Sequence, residues 1–170
     1  MSRVDDRLDL APQPLGDLAL DVECSVCGPD EVLVLLLLVR QYHEFEGIDM
    51  SDEDRVRALK PLLGDSTLGR ILLIRVAGEV VGYLALCWGY SIEFGGRDAF
   101  IDEFFVIEPA RRQGVGRAAL RAAQASAKDL GILALHLEVA HDNTRARRFY
   151  ESCDFTRRDR FHLMSWRTRR

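Results

Sequence analysis

Twelve consecutive residues constrain this chain's fold more than any others: Val106-Ile107-Glu108-Pro109-Ala110-Arg111-Arg112-Gln113-Gly114-Val115-Gly116-Arg117. Pro109 stops a strand predicted over residues 98–107, and a helix is predicted over 115–130. Leu120, Ala123, Ala127 and Leu130 line one stripe of that helix, and Gly131 suits its cap. Without Cβ atoms, Gly114 and Gly116 let a ligand approach the backbone closely. The helix start adds unpaired N–H groups and a partial positive charge. Arg111, Arg112 and Arg117 add full charges. The stretch reads as an anion site whose spacing suits a diphosphate. It lacks the Gly-Lys-Ser/Thr of a Walker loop and the GxGxxG of a dinucleotide fold. A plain glycine turn with solvated arginines is the competing reading.

The other elements define what packs around this turn. Residues 18–25 alternate as a first strand. Gly28-Pro29-Asp30-Glu31 starts a helix that reaches Phe45 and stops near Gly47. Ser51-Asp52-Glu53-Asp54 caps a second helix, ending near Leu63. Strands over 70–76 and 80–90 flank the turn Ala77-Gly78-Glu79. Residues 132–140 alternate, with Leu133, Leu135, Leu137 and Val139 on one side and Ala134, His136, Glu138 and Ala140 on the other. A short helix is predicted over 143–153, and a final strand pair over 155–166. The fold class is therefore α/β, of the α+β type: a mixed central sheet of about seven strands flanked by about four helices. A chain of 170 residues makes one domain, with residues 1–18 as a flexible polar arm.

Composition excludes more than it selects. Apolar residues are 48% and charged residues 29%, as in soluble globular proteins. The longest apolar run, over 32–39, is far short of a membrane span, so no membrane partner is expected and the expected location is cytoplasmic. Cys24 and Cys27 form one CxxC pair, too few ligands for a tetrahedral zinc site, and no metal is expected. The net charge of −4 hides a split: residues 1–103 carry −11 and residues 104–170 carry +7. The arginines of the second half have no aromatic platform among them, so no nucleic-acid partner is expected.

A second motif makes the reading specific. In His141-Asp142-Asn143-Thr144-Arg145-Ala146-Arg147-Arg148-Phe149-Tyr150, the residues Asn143, Ala146 and Tyr150 share a helix face. Arg111-x-x-Gly114-x-Gly116, then Asn143-x-x-Ala146-x-x-x-Tyr150-x-x-x-Asp154-Phe155, resembles the GNAT superfamily of acetyl-CoA-dependent N-acetyltransferases. Residues 99–155 carry the likeness and would be the acetyl-CoA-binding core. Ile101-Asp102-Glu103-Phe104-Phe105-Val106 resembles the matching strand of diamine and polyamine acetyltransferases. Asp154 stands where the family usually has glycine; aspartate tolerates the left-handed backbone such a turn needs.

The resemblance implies an assignment of the site. Backbone N–H groups of Arg112, Gln113, Gly114, Val115, Gly116 and Arg117, with Arg111 beside them, would hold the coenzyme A diphosphate. The strand Phe104, Phe105, Val106 would pair with the pantetheine arm. Asn143, Ala146 and Arg147 would line the coenzyme side, and Tyr150 would protonate the leaving thiolate. An alkylammonium acceptor must lose a proton before it attacks, and a carboxylate can take it. Glu103 and Glu138 are the first candidates, with Asp102 next. Strand alternation allows only one of Asp102 and Glu103 to reach a given site. Tyr42, Glu44, Glu46 and Glu93 flank the expected acceptor mouth and suit a cationic amine. His43 reads as a surface or capping histidine.

The function expected is therefore acetyl transfer from acetyl-CoA to a primary amine of a small cationic molecule by direct attack. Acetylation of protein N-termini or lysines is the alternative within that chemistry. A non-catalytic acyl-CoA sensor is the alternative of another class. Homodimerisation is a family-level expectation.

Overall fold

The computed structural model describes residues 21–64 and 66–168. The expected arm and the first residues of the expected first strand lie outside them. Five strands form one sheet in the order β1 (Val22–Val26), β2 (Gly69–Val76), β3 (Glu79–Ser91), β4 (Gly96–Val106) and β5 (Ala134–Leu137). The first three pairings are antiparallel, and β4–β5 is parallel. The helices are α1 (Val32–Glu46), α2 (Asp52–Leu59), α3 (Val115–Asp129) and α4 (Thr144–Glu151).

Local chemistry sets these boundaries. Pro29 opens a 3-10 turn ahead of α1, and Glu31 accepts the Gly28 N–H. Gly47, at φ +70°, ends α1 in a left-handed cap. The Ser51 hydroxyl accepts the Asp54 N–H at 3.1 Å and starts α2. Pro61 sits where α2 has already tightened into a 3-10 turn, Lys60–Leu62.

Helices cover both faces of the sheet, so the central strands are buried on both sides. Ile71, Leu72, Leu73 and Ile74 run consecutively through the core of β2. Leu73, Tyr83, Ala85 and Phe105 pack under Leu35, Leu38 and Val39 of α1. Leu72, Leu84, Leu86 and Ile101 pack against Leu120 and Ala123 of α3. The stripe expected on α3 is buried at Leu120, Ala123 and Ala127, joined by Val115 and Ala119.

The sheet has five strands among the described residues, not about seven. The expected strand pair over 155–166 makes no ladder. Beyond Phe155, which packs on the α3-side core, its apolar side chains find no core: Leu163, Met164 and Trp166 are 71%, 88% and 87% exposed. Ion pairs tether the segment instead, Arg157 to Glu151 and Arg158 to Glu93. Burial of apolar side chains is what repays strand ordering, and here it is missing. The strand expected over 132–140 shortens to β5, with Leu135 and Leu137 against the α3-side core and Leu133 exposed.

Candidate active site

The site begins where the parallel ladder ends. β4 and β5 pair only from Asp98↔Ala134 to Ile101↔Leu137. β4 continues to Val106, while the chain after β5 leaves the sheet toward α4. The backbone of Phe104, Phe105 and Val106 therefore pairs with β3 on one side and has no strand on the other among the described residues. A cleft of about 1210 Å³ opens there, lined by Tyr42, Phe45 and Glu46 of α1, by Asp102, Phe104, Phe105 and Val106 of β4, by His136 and Glu138, and by Asn143, Ala146, Arg147 and Tyr150.

A bulge in β4 shapes its floor. Ala85 pairs with Glu103, yet Leu86 pairs with Ile101, so Asp102 is an extra residue. Counting on from Ile101, which faces α3, Asp102 faces α1. Counting back from Phe105, which faces α1, so does Glu103. The bulge thus sets both carboxylates on the α1 side, yet of the two only Asp102 lines the cleft, as expected; Glu103 is turned to Tyr83 and His43, so hydrogen bonding rather than strand alternation separates them. The charges of both reach Tyr42, Tyr83 and Cys87.

The two acids have different surroundings. Glu103 accepts hydrogen bonds at both oxygens, from the Tyr83 hydroxyl at 2.7 Å and from His43 Nε2 at 2.8 Å. Asp102 lies on the cleft wall. Partial burial, and then the charge of Glu103 beside it, hold its carboxyl above the ordinary range. Glu138 follows the end of β5 and is exposed on the cleft rim.

Three phenols converge on this floor. Tyr42 is pushed up to about 12, first by burial and then by Glu46, Glu103, Tyr150 and Asp102. Tyr150 rises to about 12 by burial and, secondarily, through Cys153. It packs on Phe149 and Phe155 with ring centroids 5.2 and 5.9 Å away, which fixes its orientation. Tyr83 is raised too, by burial and by Glu103. At neutral pH each phenol keeps its proton.

The loop between β4 and α3 has the shape its glycines suggest. Arg112 and Gly114 adopt left-handed backbone, φ +64° and +87°. Such alternation turns amide N–H groups toward one concavity. A Cβ at Gly114 would meet no protein atom within 4 Å, so its front is open. Gly116 sits against the rings of Phe149 and Phe104, where a Cβ would lie 3.5 and 3.7 Å away. Val115 is buried, pinning the loop to the core.

The loop's side chains divide. Arg111 lines the cleft, donates from Nε to the Val106 carbonyl at 2.6 Å and stacks over Phe105 and Phe45. Gln113 donates to the Pro109 carbonyl at 2.7 Å. Arg117 turns to α4, donating to the Ser152 carbonyl and hydroxyl at 2.8 Å each. Its backbone stays at the helix start while its guanidinium braces α4.

On the facing helix, Asn143 caps α4 by accepting the Ala146 N–H at 3.0 Å. Arg147 Nε is buried with no hydrogen-bond partner among the described residues. An orphaned cationic donor on the cleft wall fits a ligand bearing acceptor oxygens. Asp154 takes φ +68°, the left-handed turn expected of it.

Two mouth residues sit differently from the rest. Glu44 of α1 lies outside the cleft lining. Glu93 lines it but is held by Arg158 through both carboxylate oxygens, at 2.8 and 3.0 Å.

Sequence reasoning missed three residues. His43 is buried, at 5% exposure, rather than a surface or capping histidine. Arg55 of α2 donates from Nε to His43 Nδ1 at 3.2 Å, and Tyr83 comes from the apolar run of β3. Its position in the last turn of α1 made His43 look like a cap; nothing in a charged eight-residue helix marks Arg55 as buried.

Comparison with known proteins agrees with this geometry. The model of the acetyltransferase (GNAT) family matches residues 34–155. The uncharacterized N-acetyltransferase YhfO of Bacillus subtilis (strain 168) is 31% identical over 114 residues, 67% of this chain and 76% of that protein. YycN of the same organism, also named an uncharacterized N-acetyltransferase, is 35% identical over 82 residues, 48% of this chain. That match spans about half of YycN, 51%. The integron cassette protein HFX_CASS3, from the mobile metagenome of Cole Harbour Salt Marsh, superposes with a TM-score of 0.76 at 33% identity, covering 86% of this chain and 91% of that one. The glycine loop between β4 and α3 and the open edge of β4 accord with the matched span, and the chain belongs to the GNAT family of acetyltransferases.

Proposed function

We propose that this protein transfers an acetyl group from acetyl-CoA to a primary amine of a small cationic acceptor by direct attack. One observation carries the reading: Tyr42 and Glu46 of α1, Asp102 of β4 and Tyr150 of α4 line one cleft. That juxtaposition supports an acid, a base and a cation-binding wall acting together.

Acetyl-CoA, the donor used by the family, supplies the acetyl thioester. The N–H groups from Arg112 to Arg117 hold its diphosphate, with Arg111, Asn143, Ala146 and Arg147 along the coenzyme wall. The unpaired edge at Phe104, Phe105 and Val106 receives the pantetheine amides. Arg147 Nε supplies the donor that the cleft wall leaves without a protein partner.

Asp102 is the proton acceptor. Its raised carboxyl binds a proton more readily than an ordinary aspartate, and it faces the cleft. Asp102 first takes a proton from the bound ammonium, freeing its lone pair, and later releases that proton to solvent. As the N–C bond forms and the C–S bond breaks, Tyr150, protonated at neutral pH, gives its proton to the departing sulfur, and the proton shed by the acylated nitrogen restores the phenol. Positioning supplies the rest of the rate, without a covalent enzyme intermediate. The rings of Tyr42 and Phe45 and the carboxylates of Glu46 and Glu138 suit an ammonium group. The likeness of Ile101–Val106 to diamine and polyamine acetyltransferases makes those amines the first acceptors to test.

The test is coenzyme A release against a panel of diamines, polyamines, aminoglycosides and lysine peptides. Turnover on a small cationic amine supports the reading. Turnover on the peptides alone assigns a protein acceptor, and coenzyme binding with no turnover assigns a sensor.

A further inference from the structure

Behind the cleft runs a buried polar chain that the acetyl-transfer reading leaves unassigned. Arg55 Nε donates to His43 Nδ1 at 3.2 Å, and His43 Nε2 lies 2.8 Å from Glu103 Oε1. The other oxygen, Oε2, accepts the Tyr83 hydroxyl at 2.7 Å. Arg55 is anchored in turn, with Nη1 2.8 Å from Asp52 Oδ1. His43 and Arg55 are 5% and 8% exposed.

The donors fix the direction of this chain. Arginine has only N–H groups to offer, so Nδ1 of His43 must accept. Nε2 then carries the ring proton and donates to Glu103. His43 of α1, backed by Arg55 of α2, and Tyr83 of β3 thus hold the β4 carboxylate at both oxygens. A buried polar network satisfied this way is rigid, and an apolar core of the same volume would serve stability equally well. What the network achieves that an apolar core does not is a fixed negative charge beside Asp102. The bulge that places both acids on one face is what makes them neighbours.

We propose that Arg55, His43 and Tyr83 are positioning residues for acetyl transfer: they hold Glu103 motionless beside Asp102, so that the acceptor amine meets an Asp102 carboxylate backed by a charge of fixed geometry. This rests on the assignment of Asp102 as proton acceptor. Glu103 acts through Asp102 and does not itself touch the amine. The groups facing the pair are Tyr42, His43 and Glu46 from α1, Arg55 from α2, and Tyr83 and Cys87 from β3. Within that set Glu103 is the charge adjacent to Asp102.

The test uses the whole chain, with a turning-over amine and acetyl-CoA. Glu103→Gln keeps the shape and removes the charge. It shifts the acidic limb of the kcat/KM profile for the amine to lower pH and leaves the Kd of acetyl-CoA within about twofold. Tyr83→Phe keeps the charge but frees one oxygen; it lowers kcat about tenfold, the scale of a small misplacement, with little change in the KM for acetyl-CoA. His43→Gln, whose amide both accepts and donates, retains more activity than His43→Leu. The 15N spectrum of the wild-type protein shows His43 as the Nε2–H tautomer at neutral pH. An Nδ1–H tautomer, or Glu103→Gln and Tyr83→Phe variants with wild-type pH profiles and kcat, overturns the proposal. Asp102→Asn separates the two claims. Wild-type turnover there removes Asp102 from the chemistry and overturns the parent reading, whatever the tautomer shows. A dead Asp102→Asn enzyme with indifferent Glu103 and Tyr83 variants overturns only the network.

Discussion

At the scale of single residues, Asp102 and Tyr150 carry the proposed chemistry. Both groups are shifted upward: the shift makes Asp102 a better proton acceptor, and it keeps Tyr150 protonated while making the phenol a weaker acid. Tyr150→Phe should lower kcat on the order of a hundredfold, the usual worth of a positioned acid, while the Kd of acetyl-CoA stays near wild type. Steady-state rates beside calorimetric titration check this. Asp102 also carries a stability prediction with a definite sign. Its folded carboxyl is raised above the unfolded value, so ionising it disfavours the folded state. That penalty is absent below the unfolded range near ~4 and grows as pH rises through the folded value. Asp102→Asn should therefore raise Tm at pH 7, and the gain should vanish in acid. Thermal melts at both pH values decide it. Glu31 has the opposite sign: the Gly28 N–H and Arg75 hold it below the ordinary range. Its contribution is present above about pH 4.5 and fades as acid titrates the folded carboxyl. Tyr150, Asp102 and Glu103 could be singled out as candidates because their residue types stand at recognisable spacings. His43 and Arg55 were not, since no local pattern tells a buried polar pair from a solvated one.

At the scale of elements, the β4–loop–α3 unit was the most legible part of the chain. Proline, paired glycines and an apolar helical stripe act locally, and each boundary fell within a residue or two of its expected place. The bulge at Asp102 was not legible. It depends on how β4 registers against β3, a relation that at the bulge joins Leu86 to Ile101 and Ala85 to Glu103, well apart in sequence. It was the bulge that set both carboxylates on the α1 side of the strand. The final strand pair failed for a similar reason. Alternating side chains from Phe161 to Trp166 suit a strand, but a strand also needs an edge and a face to cover. The unit offers one sharp test. Gly114→Val places a branched side chain on left-handed backbone, at a cost of about 1–2 kcal/mol, and fills the open front of the loop. The variant should fold with a modestly lowered Tm and lose measurable acetyl-CoA binding. Retained affinity would take the diphosphate away from this loop.

At the scale of the whole molecule, the charge split gains a structural counterpart. The acids of the first half do not all gather at one mouth. Asp52 is tied to Arg40 of α1, which fastens α2 to α1, while Asp52–Arg55 and Asp54–Arg57 are pairs within α2. Among the described residues of that half, Glu46, Glu93 and Asp102 are the acids that reach the cleft. The arginines divide too, with Arg111, Arg147, Arg157 and Arg158 on the cleft and Arg117 bracing α4. Net charge by halves was therefore a blunt guide, and position within the fold is the sharper one. The two-sided sheet also ties the site to global stability. Leu84, fully buried in β3 against α3, should cost about 2–5 kcal/mol as Leu84→Ala, measured by urea unfolding.

The account's central claim is that one cleft binds acetyl-CoA and uses Asp102 to activate an amine. The most direct measurement is the rate of coenzyme A release with a diamine acceptor, for the wild-type chain and Asp102→Asn side by side. The account predicts turnover by the wild type and a loss of about a hundredfold or more in the variant, with acetyl-CoA affinity unchanged. Equal rates in the two proteins, or tight acetyl-CoA binding with no release of coenzyme A for any amine, would contradict it.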